Sequence, residues 1–221
     1  MKMTPAETCA LRDQLYFLDP DENSQKRALY EHWRNFYIGI AEGRMASAYK
    51  DVLGYVTVGI GFNMDRPEAR DEWDLAFPKG TVSFDAVYSG GRLLDDFEMD
   101  TLFSSGLSLR EKALKASYPF WSLLRANERL ATESAYYNGV CLVRAPLWNS
   151  DGSLRQEGTR YYAHLKQYAE DGALDGLKNA VMELRDRSNR RQIYGLTLRR
   201  ESEAILLSSF DIPGFSLKKA A

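Results

Sequence analysis

Cysteine is almost missing from this chain: Cys9 and Cys141 are the two among 221 residues. A disulfide framework needs more thiols at closer spacing, so both are expected to be reduced. Histidine is equally scarce. His32 and His164 stand apart from each other and from the cysteines, which leaves no cluster with metal-site spacing, and neither metal nor cofactor is implied. An excess of either charge is missing as well. With 29 Lys and Arg against 31 Asp and Glu the net charge is -2, so bulk electrostatics offers nothing to a nucleic acid. No apolar run approaches the roughly 20 residues of a membrane span. The N-terminal MKMTPAETCALRDQLYF also lacks the apolar core of a signal peptide. The expectation is a monomer that accumulates in the cytoplasm, with no nucleic-acid partner and no insertion into a membrane.

What is present is ordinary globular material, 44% hydrophobic and 27% charged, enough for a core in one or two domains. Thr4-Pro5-Ala6-Glu7 reads as a helix start, with Thr at the N-cap, Pro at N1 and Glu at N3. That helix should run to about Phe17 and bury Leu11, Leu15 and either Leu18 or Phe17. Ser24 is placed to cap a second helix, in which Leu29, Trp33, Phe36, Tyr37 and Ile40 share a face and Gly43 provides the stop. Residues 62–91, with Pro67, Pro78 and Gly90-Gly91, read as a loop-rich, largely solvated stretch. Helical patterns follow over about 93–117, ended by Pro119, and then over 120–142, 153–169, 173–187 and 196–210. The division expected from this is an N-terminal helical extension, 1–30, before a main domain of 31–215.

Chemistry concentrates in Glu42 to Gly61, EGRMASAYKDVLGYVTVGIG. Glu42 ends the second helix, where the partial negative charge of unpaired carbonyls makes a carboxylate a poor choice for stability. Asp51 opens the turn Asp51-Val52-Leu53-Gly54, a place where Asp is common for local reasons because its side chain caps backbone amides. A period-2 strand follows. In it Tyr55, Thr57 and Gly59 share one face and Val56, Val58 and Ile60 the other. Two carboxylates held apart by a rigid hairpin, with a hydroxyl beside one of them, suit glycosidic bond cleavage.

The pattern Glu42-Gly43, Tyr49-Lys50-Asp51, Gly54-Tyr55, Thr57 and Gly59-Ile60-Gly61 resembles the active-site signature of the phage-type lysozymes, T-even phage lysozyme and its relatives in glycoside hydrolase family 24. The spacing agrees too, with nine residues from Glu to Asp and six from Asp to Thr. Farther on, Gly195-Leu196-Thr197-Leu198-Arg199-Arg200-Glu201-Ser202-Glu203 is similar to the family's Gly-Leu-x-x-Arg-Arg-x-x-Glu helix. The chain departs from the type member in having Phe62 where a histidine follows Gly-Ile-Gly, so no His–Asp pair is expected there.

The resemblance implies an α+β lysozyme-like fold, with a small β-hairpin lobe, a mainly helical lobe and the cleft between them. It implies a muramidase acting on the β-1,4 bond between N-acetylmuramic acid and N-acetylglucosamine of bacterial peptidoglycan, as a bacteriolytic endolysin held in the host cytoplasm before release to the wall. Glu42 would be the general acid, and Asp51 with Thr57 would position the attacking water, giving inversion. Either Arg199 or Arg200 would approach Glu42, and Asn138 is a substrate-binding candidate. Tyr55 and Phe62 either line the cleft or pack in the core. Two rivals remain: a lytic transglycosylase, which needs the Glu but no water-activating Asp, and a non-catalytic, wall-binding lysozyme-like virion protein.

Overall fold

The computed structural model describes residues 3–51, 53–189 and 194–208, apart from a few side chains. Cys141's side chain and the end of the last expected helix, beyond Ser208, lie outside them. In chain order come α1 (Pro5–Tyr16), α2 (Ser24–Glu42), β1 (Met45–Lys50), β2 (Val56–Gly59), β3 (Phe62–Asn63), α3 (Ala69–Ala76), α4 (Phe84–Tyr88) and α5 (Asp96–Ser117). They are followed by α6 (Ala126–Asn138), α7 (Val140–Val143), β4 (Leu147–Trp148), β5 (Leu154–Gln156), α8 (Arg160–Asp171), α9 (Leu174–Asn189) and α10 (Tyr194–Leu207). The chain divides into two compact units: Glu31–Ala113, and Met3–Tyr30 together with the chain from Leu114 on. The divisions fall within α2 and α5.

In the first unit the sheet has the order β1-β2-β3, antiparallel throughout. A hairpin was expected; the short β3 makes β2 a central strand. Thr57 therefore pairs with Tyr49 on one side and Asn63 on the other, and both faces of β2 are covered, with Val58 and Thr57 alike buried. Asp65 fixes the start of β2, accepting hydrogen bonds from the Val56 N–H at 2.7 Å and the Tyr88 hydroxyl at 2.8 Å. Those two bonds, the Val56 amide first, hold its carboxyl below the usual aspartate range. A depressed pKa in the fold stabilises above the unfolded value, about 3.9, and that contribution disappears as pH falls through the folded one. Asp65→Asn should accordingly flatten the acid limb of a melting-temperature-against-pH curve, and an unchanged limb would contradict this.

Residues 62–91 correct the expectation of a solvated loop. They supply Phe62, Met64, Ala69, Trp73, Phe77, Val82 and Val87 to one core cluster, closed by Val58, Leu94, Met99 and Leu102. Trp73 is its centre. Its indole N–H donates to Val82 O at 2.8 Å, and its ring meets Phe77 at 5.0 Å, Phe84 at 5.3 Å and Phe62 at 5.9 Å. The prolines and glycines punctuate helices too short to show a period, which is why the stretch reads as loop. Trp73→Ala should cost about 3–5 kcal/mol in chemical denaturation; a cost under about 1 kcal/mol would show that the ring is not a core anchor.

The second helix also differs from its reading. Asn23, not Ser24, caps α2: its Oδ1 accepts from the Lys26 N–H at 2.9 Å. The buried face is Tyr30, Arg34, Tyr37 and Ile38, whereas Leu29 and Phe36 are exposed. The cause is Arg34, which sequence pattern assigns to the solvent side. It is buried in an ion pair with Glu111 of α5 at 2.9 Å, and it carries its neighbours inward. Phe97 of α5 is likewise exposed, not core.

In the second unit α1 starts with the expected capping box, the Thr4 N–H donating to Glu7 Oε2 at 2.7 Å and the Glu7 N–H to Thr4 Oγ1 at 3.3 Å. It buries Leu11 and Leu15 and leaves Phe17 exposed. α1 packs on α6 and α10, and α9 lies between α8 and α10 in the contact order. α6 is buried from Ala126 to Ala135 on every side, polar residues included. A β4–β5 pair occupies residues 147–156, partly where a helix from 153 was expected. Its turn closes through the Asn149 N–H on Ser153 O at 2.8 Å, and Asn149-Ser150-Asp151-Gly152 was the available signal.

Candidate active site

Glu42 is the last residue of α2. Gly43, at φ 79, takes the left-handed stop that leads the chain into β1. The Glu42 side chain then lies against the β2–β3 turn. A Cβ on Gly61 would stand 2.9 Å from Glu42 Oε2 and 3.4 Å from its Cβ and Cδ, and Gly61 itself has φ 70. So glycine at 61 satisfies two demands, a left-handed backbone and room for a carboxylate. Gly61→Ala should strain the turn by about 1–2 kcal/mol and push the carboxylate aside, a misplacement that in catalysis costs about 100-fold. Gly90→Ala is the control, since Gly90 has φ 77 but nothing within 4 Å of an added Cβ. Equal effects of the two changes on turnover would refute the crowding argument.

Asp51 does two things at once. Its Oδ1 accepts from the Leu53 N–H at 2.8 Å and the Tyr55 N–H at 3.0 Å, and its own N–H donates to Tyr55 O at 2.9 Å. The local reading of Asp51 as a turn cap is therefore correct for one oxygen. Oδ2 takes no hydrogen bond among the described residues. Thr57 is buried in β2, and its hydroxyl makes one long contact, 3.5 Å to Tyr55 O. Tyr55 is 47% exposed beside this turn, with its ring available to a ligand.

Tyr49 links the two acidic residues. Burial raises its phenol above the ordinary range first, and the charges of Glu42 and Asp51 then add to the shift. Glu42 ends α2, and Asp51 follows β1 directly. Sequence reasoning gave Tyr49 a place in a motif but no role; the period-2 alternation from Asp51 back through β1 was the signal that puts it on the same face.

The remaining candidates are distributed differently. Of the two readings of Phe62 the core one holds, and its place as a substrate-binding residue is corrected: its ring is 5% exposed inside the core cluster, against Trp73. Asn138, Arg199 and Arg200 belong to the second unit. There Arg199 Nε donates to Glu203 Oε1 at 3.1 Å and Arg199 Nη2 to Ser134 O at 3.0 Å. Arg200 bonds Glu203 Oε2 through Nη1 and Asn138 Oδ1 through Nη2. Among the described residues no group of three His, Cys, Asp or Glu is placed to hold a metal ion, and no helix is long and apolar enough to cross a membrane.

No protein-family model matches the chain. No curated protein matches it either. Among solved structures it is similar to the active form of P1 phage endolysin Lyz, with a TM-score of 0.51 and 18% identity over 93% of this chain and 94% of that one. Mixed helices and small antiparallel sheets, laid out as in that structure, give this chain an α+β lysozyme-like fold.

Proposed function

We propose that the chain is a peptidoglycan hydrolase of the lysozyme type, a muramidase that cleaves the β-1,4 bond between N-acetylmuramic acid and N-acetylglucosamine. The observation that carries this reading is the Glu42 side chain, held at the end of α2 against a Gly61 cleared for it, with Asp51 fixing the turn that leads into β2 and Thr57. Glu42 is the general acid that protonates the leaving oxygen. Asp51 Oδ2, with the Thr57 hydroxyl, accepts the proton of a water attacking the other face of the sugar. The likeness in fold to a phage endolysin supports the same reaction class. An inverting reaction needs the carboxyl groups about 6.5–9.5 Å apart, with the water between them.

The test is purified protein on isolated peptidoglycan, with the products followed by reducing-end assay and mass spectrometry. Reducing N-acetylmuramic acid ends, initially in the α configuration by NMR, are expected. Anhydro-sugar ends would make the protein a lytic transglycosylase. Binding to the polymer without new ends would make it a non-catalytic wall-binding protein.

A further inference from the structure

Tyr49, Thr57 and Asp51 stand together on one face of the sheet. Tyr49 and Thr57 are direct cross-strand partners, and such partners project to the same side. The ladder continues past β1 through the Asp51 N–H on Tyr55 O at 2.9 Å, so Asp51, two residues after Tyr49, returns to that side. The charge of Asp51 is felt at the Tyr49 phenol, in keeping with this placement.

Each of the three has hydrogen-bonding capacity left over. Asp51 spends Oδ1 on two amides and keeps Oδ2. Thr57 has its single long contact at 3.5 Å. The Tyr49 hydroxyl makes no hydrogen bond among the described residues. A held water needs two to four polar partners, and a carboxylate with one hydroxyl provides the minimum with little directional control. A phenol donating from a third direction fixes the water's lone pairs, so that the remaining one is aimed at the sugar.

We propose that Tyr49 is a positioning residue which completes a three-point water site with Asp51 Oδ2 and the Thr57 hydroxyl. This deepens the muramidase reading and rests on it. Tyr49 passes no proton. It donates one hydrogen bond to the water oxygen while Asp51 accepts the water's proton, and the other electron pair of the oxygen forms the new bond to carbon. Burial first, and then the charges of Glu42 and Asp51, disfavour the phenolate, so the donor stays protonated at neutral pH.

Tyr49→Phe removes one oxygen that bonds nothing among the described residues, so melting should be unchanged. On soluble glycan strands the variant should lose about tenfold in kcat, the value of one hydrogen bond of about 1.4 kcal/mol, with KM within about twofold. In an Asp51→Asn background the same change should cost nothing further, because the water is already lost. Wild-type kcat in Tyr49→Phe, a loss confined to KM, or the same loss in both backgrounds would each overturn the proposal. So would a drop in melting temperature, which would make the hydroxyl structural. Glu42→Gln in parallel tests the underlying reading: if that variant keeps its activity, the muramidase assignment fails. If it is inactive and Tyr49→Phe is not impaired, only the water site is wrong.

Discussion

Glu42→Gln should abolish turnover on peptidoglycan and leave the fold as stable as before or slightly more so. Gln matches Glu in size and still accepts hydrogen bonds, but it has no proton to give the leaving oxygen. The loss expected for a general acid is about 10²–10⁴-fold. The second half of the expectation is the more discriminating one. Glu42 ends α2, where a negative charge opposes the helix dipole, so neutralising it should return about 0.3–1 kcal/mol at low salt. A residue kept for structure would show the opposite sign, losing stability with activity unaltered. Kinetics and thermal melting on one preparation decide the matter. A variant that melts as usual and retains more than about a tenth of normal turnover would remove Glu42 from the chemistry.

A loss of stability as large as that at Trp73 is expected in the second unit, at Glu203. Its carboxylate is wholly buried and shared: Oε1 accepts from the Ser134 hydroxyl at 2.6 Å and Arg199 Nε at 3.1 Å, while Oε2 pairs with Arg200. Both guanidinium groups are themselves nearly inaccessible. Removing this anion takes a charged acceptor from two buried cations, each already stripped of water. Breaking such an arrangement from one partner costs about 3–5 kcal/mol. Glu203→Ala should therefore shift the denaturation midpoint by that much, with a milder loss for Glu203→Gln, which keeps the acceptor and one contact. A change under about 1 kcal/mol would mean that the arginines find other acceptors. Glu201, two positions earlier on the same helix and exposed, is the matched control and should be near neutral when changed to Ala.

The parts of the fold legible in the sequence are those where local chemistry decides. Thr4 and Glu7 cap α1, Gly43 ends α2, and Asp51 caps its turn, because each depends on residues within four positions. The positions of Glu42 at a helix end and Asp51 at a turn were legible for the same reason. What was not legible depends on distant partners. Arg34 turns inward only because Glu111 waits 77 positions away, and that choice rotates the whole face of α2. Residues 62–91 become core only because short elements from β3 to α4 close around Trp73. Tyr49 gains meaning only from its pairing with Thr57 across the sheet, which the sequence does not show.

Asp51's divided duty has a consequence for how the residue may be probed. Its first oxygen holds the Leu53 and Tyr55 amides, so alanine there would unfasten the turn that aims Thr57 and expose unpaired donors. An inactive Asp51→Ala protein would then be uninformative, since loss of shape and loss of base predict the same silence. Asparagine keeps an acceptor for both amides and replaces the second oxygen with a group that cannot take a proton. The difference between the two variants, read as stability for one oxygen and as rate for the other, divides the architecture of this carboxylate from its chemistry.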